Sequence, residues 1–194
     1  MTSQNEFLNN IISALAKSKI PYMVSGSFGS SFHGRPRATN DVDIVIDLTL
    51  KQLEAFIETL GAGYYVNSDS ARMALTKRTM FNVIDIEAGW KADLIIRKER
   101  PYSVEEFDRK RKFPIEGSDL WVVSPEDAIL SKLEWSKGCQ SQQQFQDALG
   151  VVAIQTGRLD LEYLHRWAKE LGITDELKKL LNAAGRNKGT KQKN

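Results

Sequence analysis

"SGSFGSSFHGRPRATNDVDIVID", residues 25 to 47, brings three kinds of chemistry into one short segment. Gly26, Ser27 and Gly29 form a small-residue stretch, Arg35 and Arg37 add positive charge, and Asp41 and Asp43 enter an otherwise apolar run. That run has the β-branched composition of a strand. Side chains alternate along a strand, so Asp41 and Asp43 share one face while Val42, Ile44 and Ile46 take the other. Neighbouring carboxylates repel, and burying one without a partner is costly. A divalent cation resolves both problems. Carboxylates are hard oxygen donors suited to Mg²⁺ or Mn²⁺, and Mg²⁺ characteristically binds one or two of them together with substrate phosphates.

A third carboxylate has the same pattern. In "KADLI", residues 91 to 95, Asp93 leaves a strand opposite Ala92 and Leu94. If the two strands are neighbours, three carboxylates can bracket two metals, the geometry for in-line displacement at phosphorus. The glycine-serine stretch suits the same reaction. At a strand-to-helix turn, Gly26, Ser27 and Gly29 let backbone N–H groups and a hydroxyl approach phosphate oxygens closely.

Gly-Ser, an intervening helix, then Asp-x-Asp in an apolar frame resembles the nucleotidyltransferase superfamily related to DNA polymerase β. Within it, "GSFGSSFHGRPRATNDVD" is similar to AbiEii-type toxin nucleotidyltransferases, with Arg37, Thr39, Asp41 and Asp43 in matching places. "KADLI" resembles the Lys-x-Asp motif of that branch through Lys91 and Asp93, and "DAILSKLEW" its helical motif through Lys132. The fourth motif, Arg-x-Lys-Asp, is reduced here to Asp147 within "QQQFQDALGVV".

The resemblance implies transfer of a nucleoside monophosphate from an NTP to a hydroxyl acceptor, on RNA, tRNA or a protein, with Mg²⁺ or Mn²⁺ as cofactor. It makes Asp41, Asp43 and Asp93 the catalytic and metal-binding set, with Asp93 also activating the acceptor. Gly26, Ser27, Arg37, Thr39, Lys91, Lys132 and Asp147 become the nucleotide-binding set. It also raises a toxin of a toxin–antitoxin pair, with a cognate antitoxin as partner. The altered fourth motif leaves a second reading, a nucleotide-binding module that has lost transfer. Aspartyl-phosphate hydrolases also use Asp-x-Asp, but they want an apolar run before it, and "RPRATN" is the wrong lead-in.

Outward from this segment, Phe7, Leu8, Ile11, Ile12 and Leu15 recur at helical spacing. Thr49 caps a helix that Gly61 stops, and 68–76 reads as one or two helical turns. "TMFNVIDIEA" and "KADLIIR" read as a hairpin. Ser103 with Glu106 suggests a capping box for a helix "VEEFDRKRKF". From "SPED" onward the pattern is helical, with further helices near 141–156, 161–171 and 175–184. The fold class is therefore α/β (α+β): a mixed sheet with flanking helices over 1–122, a small helical domain over 123–184, and a basic disordered tail over 185–194.

The net charge of +2 is too small to signal nucleic acid, and the tail carries Arg186, Lys188, Lys191 and Lys193 with no acid. Residues 97–112 mix basic and acidic side chains and offer, with the tail, a surface for an RNA backbone. A single cysteine, Cys139, rules out an internal disulfide, and His33 and His165 are too far apart for a zinc spacing. Trp121, Trp135 and Trp167 read as core anchors. With no apolar run long enough for a leader or a membrane span, the expectation is a soluble cytoplasmic protein without a membrane partner.

Overall fold

The computed structural model describes residues 3–36, 39–115, 118–139 and 141–191, with backbone alone at 115, 118, 139 and 186–191. Arg37 and the last three residues lie outside them. The chain divides into two compact units, one of Met1–Phe28 with Ala38–Val122, the other of Gly29–Arg37 with Val123–Asn194.

The first unit is built on a seven-stranded mixed sheet. Its strands are β1 (Tyr22–Val24), β2 (Asp41–Ile46), β3 (Tyr64–Tyr65), β4 (Met80–Asp85), β5 (Lys91–Ile96), β6 (Arg111–Ile115) and β7 (Ser118–Val122), in the order β3-β4-β5-β2-β1-β7-β6. β2 runs parallel to β5 and β1 to β7, and the remaining neighbours are antiparallel. Strict alternation gives β2 and β5 two unlike faces. Val42, Ile44, Ile46, Ala92, Leu94 and Ile96 are fully buried on one, while Asp41, Asp43, Lys91 and Asp93 are half-buried on the other.

Helix α1 (Gln4–Lys17) begins with a capping box, Ser3 with Glu6, and contributes Phe7, Leu8, Ile11 and Leu15 to the core. It packs beside α3 (Leu50–Leu60), which a second box, Thr49 with Gln52, opens. The short stretch after β3 is a full helix, α4 (Ser68–Lys77), started by the Asn67 side chain.

One boundary departs from its local signal. Helix α5 is Pro101–Asp108, so it starts before Ser103, which accepts a hydrogen bond from Arg100 Nε at 2.9 Å and caps nothing. Pro101 fits the first turn, where its missing N–H costs no bond. The basic end of the expected helix is instead edge strand β6. An edge tolerates Pro114, and its lysine and arginine discourage pairing with another sheet.

The second unit contains α6 (Pro125–Cys139), α7 (Gln142–Ile154), α8 (Leu161–Glu170) and α9 (Thr174–Lys191). The last helix thus continues through much of the stretch read as a tail. "SPED" works as a helix start: Ser124 Oγ accepts from Asp127 N–H at 3.2 Å. Asp127 is fully buried and accepts from the Ser124 and Tyr163 hydroxyls, both at 2.6 Å. Those bonds replace the water that burial removes. Trp167 is buried as expected, but Trp135 is 69% exposed and anchors no core. Among the described residues no helix is long and apolar enough to cross a membrane.

Candidate active site

The candidate carboxylates meet at one end of β2. Asp43 is the register partner of Asp93 across the parallel β2–β5 pair, and Asp41 is the partner of Lys91. Register partners project on the same side of a sheet a few ångströms apart. Three carboxylates that the sequence spreads over 41–93 therefore share one patch of the sheet.

Gly26 shows how tightly the chain turns over that patch. It has φ +59°, and a Cβ placed there would lie 1.8 Å from Asp43 Oδ2 and 2.5 Å from its Cγ. Only glycine serves, for both backbone and contact reasons. Ser25 N–H donates to the Asp43 carbonyl at 2.8 Å, fastening the turn to β2. Ser27 follows, half-buried, in the short helix α2 (Gly26–Ser31). Thr39 secures the entry to β2, its hydroxyl donating to the Asp41 carbonyl at 3.2 Å while Gln4 Nε2 donates to its own carbonyl at 2.6 Å.

Lys91 lies between two of the acids. Its Nζ is 3.2 Å from Asp93 Oδ1 and 3.5 Å from Asp41 Oδ2. Burial by itself would lower its pKa, but the hydrogen bonds and charges of Asp93 and Asp41 outweigh that and hold it above the ordinary lysine value. The ammonium is thus a fixed positive charge in the patch. Asn82, which no motif singled out, donates from Nδ2 to Asp93 Oδ1.

The donor set suits a hard divalent cation in kind, and a pair of carboxylates with substrate oxygens is an ordinary Mg²⁺ environment. Among the described residues no three acidic, histidine or cysteine side chains are gathered to hold an ion. Lys91 and Asn82 hold Asp93 instead.

Lys132 and Asp147 lie in the second unit, joined to each other. Lys132 is 4% exposed; its Nζ is 3.0 Å from Asp147 Oδ2 and 3.1 Å from Gln144 Oε1. Gln143 donates to the other Asp147 oxygen at 2.8 Å. The altered fourth motif now has a physical sense. Gln144 offers Lys132 an acceptor, whereas an arginine at 144 would set a second cation beside a buried ammonium. Asp147→Ala removes the carboxylate beside that buried ammonium and is expected to cost about 3 kcal/mol of stability in chemical denaturation. Lys132→Met with Asp147→Leu, which removes both charges, should recover most of the loss.

Other expectations resolve locally. Asp47 accepts two bonds from Arg97 at 3.1 and 2.7 Å. His33 is buried in the second unit with Nε2 2.6 Å from the Val123 carbonyl, a structural contact. In the basic stretch 97–112, Lys110 lies 4.1 Å over the Phe107 ring and Lys112 is 2.7 Å from Asp119. Arg37, expected to touch nucleotide, is outside the described residues.

No family model and no curated protein matches the chain. Solved structures do. The solution structure of the antibiotic-resistance factor ANT(2'')-Ia aligns over 98% of this chain and 100% of its own, with TM-score 0.59 and 13% identity. The lincomycin-bound lincosamide antibiotic adenylyltransferase LnuA aligns over 79% of this chain and 98% of its own, at 0.55 and 14%. An antigenic nucleotidyltransferase-like protein from Paracoccidioides brasiliensis covers 93% of this chain and 94% of its own, at 0.56 and 15%. The chain shares the fold of these proteins. Nothing among these neighbours favours the toxin branch.

Proposed function

We propose that this protein is a metal-dependent nucleotidyltransferase that moves a nucleoside monophosphate from an NTP to a hydroxyl acceptor. The observation that carries the reading is the in-register Asp43–Asp93 pair, with Asp41 on the same face, under a turn that admits only glycine at 26. Asp41 and Asp43 would hold Mg²⁺ or Mn²⁺, with Asp93 completing the set. When bound, the ion supplies positive charge to phosphoryl oxygens as negative charge develops there.

The chain's own groups do the rest. The Gly26–Ser27 turn brings backbone and hydroxyl donors to the triphosphate, and Lys91 lends charge beside it. The acceptor oxygen bonds to the α-phosphorus as the α,β-bridging bond breaks. Pyrophosphate leaves with the electron pair, and the acceptor proton passes to Asp93. Arg37 and Thr39 flank this site in sequence and are assigned to nucleotide binding.

RNA, tRNA or a protein hydroxyl is one acceptor class; a small hydroxylated compound is the other, since two fold neighbours are named for antibiotics. A toxin role with a cognate antitoxin belongs to the first class. Pyrophosphate release measured with each NTP, Mg²⁺ and both acceptor classes tests the reading, and release confined to one class identifies the acceptor.

A specific observation supports the alternative of a nucleotide-binding module without transfer. Lys132 is engaged by Asp147 and Gln144, and both Asp147 oxygens accept hydrogen bonds. NTP binding in calorimetry without pyrophosphate release from any acceptor would favour it.

A further inference from the structure

Asn82 is the one polar side chain that reaches the carboxylates from β4, a strand otherwise made of Met80, Phe81, Val83, Ile84 and the turn residue Asp85. Asparagine is a poor strand former, so its place in the middle of such a run asks for a reason. Register supplies one. Asn82 is the partner of Asp93 across the antiparallel β4–β5 pair, as Asp43 is across the parallel β2–β5 pair. The row Asp43, Asp93, Asn82 therefore crosses three adjacent strands on one face. We propose that Asn82 is a positioning residue that fixes the Asp93 carboxylate for metal binding and acceptor activation, a role that rests on the transferase reading above.

The chemistry of the pair fits this role. An ionised carboxylate only accepts, so the amide presents its NH₂, and Nδ2 donates to Asp93 Oδ1. Lys91 Nζ reaches both oxygens, Oδ1 at 3.2 Å and Oδ2 at 3.3 Å. Held from both sides, Asp93 has its rotamer set by partners on two strands. The two holders differ in kind. Lys91 adds a charge that opposes a cation, whereas a neutral amide orients the carboxylate and leaves its charge for the ion. Aspartate at 82 could not donate and would add repulsion, and an aliphatic residue would leave the carboxylate to the lysine alone. Groups that orient metal-binding carboxylates commonly change metal affinity or activity by about 10–100-fold when removed.

The test compares wild type with Asn82→Ala, Asn82→Asp and Asn82→Gln, using Mn²⁺ alone in calorimetry and NTP in a transfer assay. Asn82 is exposed, so the variants should melt with the wild type. The expected result for Asn82→Ala is Mn²⁺ binding weaker by about 10-fold or more and kcat lower by a similar factor, with KM for NTP unchanged. Asn82→Asp should lose transfer as well, and Asn82→Gln, which keeps the amide on a longer arm, should recover part of both. Wild-type Mn²⁺ affinity and kcat in Asn82→Ala would overturn the assignment, as would full activity in Asn82→Asp. A wild-type protein that neither binds Mn²⁺ nor transfers overturns the transferase reading and this inference with it.

Discussion

Asp43→Asn is expected to lower nucleotidyl transfer by about a thousandfold or more while the protein stays folded. The size follows from what the carboxylate is asked to do. Metal-assisted charge stabilisation contributes several kcal/mol to phosphoryl transfer, and each 1.36 kcal/mol is a factor of ten in rate. The amide keeps the shape of the side chain but removes its charge and leaves one oxygen. Its backbone carbonyl still accepts from Ser25 N–H. Asp43 also faces Asp93 directly, so removing one of two like charges relieves repulsion, and the melting temperature should hold or rise. Steady-state transfer beside thermal melting checks both halves. Wild-type turnover in Asp43→Asn would remove Asp43 from the chemistry.

Gly26→Ala is the second large effect, and it strikes folding and function together. A left-handed backbone costs an L-residue about 1–2 kcal/mol, and forced overpacking about 1–3 kcal/mol more. At Gly26 both apply, because the new Cβ would lie 1.8 Å from Asp43 Oδ2. A loss of about 2–5 kcal/mol in denaturant titration is expected, together with loss of NTP binding as Asp43 is pushed aside. Gly61→Ala is the control. Gly61 has φ +69° with nothing within 4 Å of an added Cβ, so it should show the backbone cost alone and keep NTP affinity. NTP affinity that survives in Gly26→Ala would mean that contact with Asp43 does not constrain the turn.

These two residues also show what a sequence can and cannot disclose. Asp41 and Asp43 were legible because strand alternation is local: two residues apart means one face. That Asp93 would lie beside Asp43 was an expectation conditional on strand pairing, and pairing is decided by the whole sheet. Asn82 was invisible for the same reason, since its meaning comes only from register across β4 and β5.

Capping signals succeeded at Thr49 and Ser124, where the side chain closes on its own helix. The same signal misled at Ser103, whose spacing to Glu106 imitates a box while its hydroxyl serves Arg100. The candidate nucleotide lysine was found on its helix, but its closure by Asp147 and Gln144 depends on how α6 and α7 pack. A one-dimensional motif reports residue type, and only packing reports which partner that residue takes.

The central claim is transfer of the α-phosphoryl with its nucleoside. Its most direct measurement incubates the purified protein with Mg²⁺ and each NTP labelled in turn at the α and the γ phosphate, with RNA, protein and small hydroxylated acceptors, beside Asp43→Asn. The account predicts label carried to an acceptor from the α position alone, with γ label leaving as pyrophosphate, and neither in the variant. Transfer from the γ position, or α transfer that survives in Asp43→Asn, would contradict it.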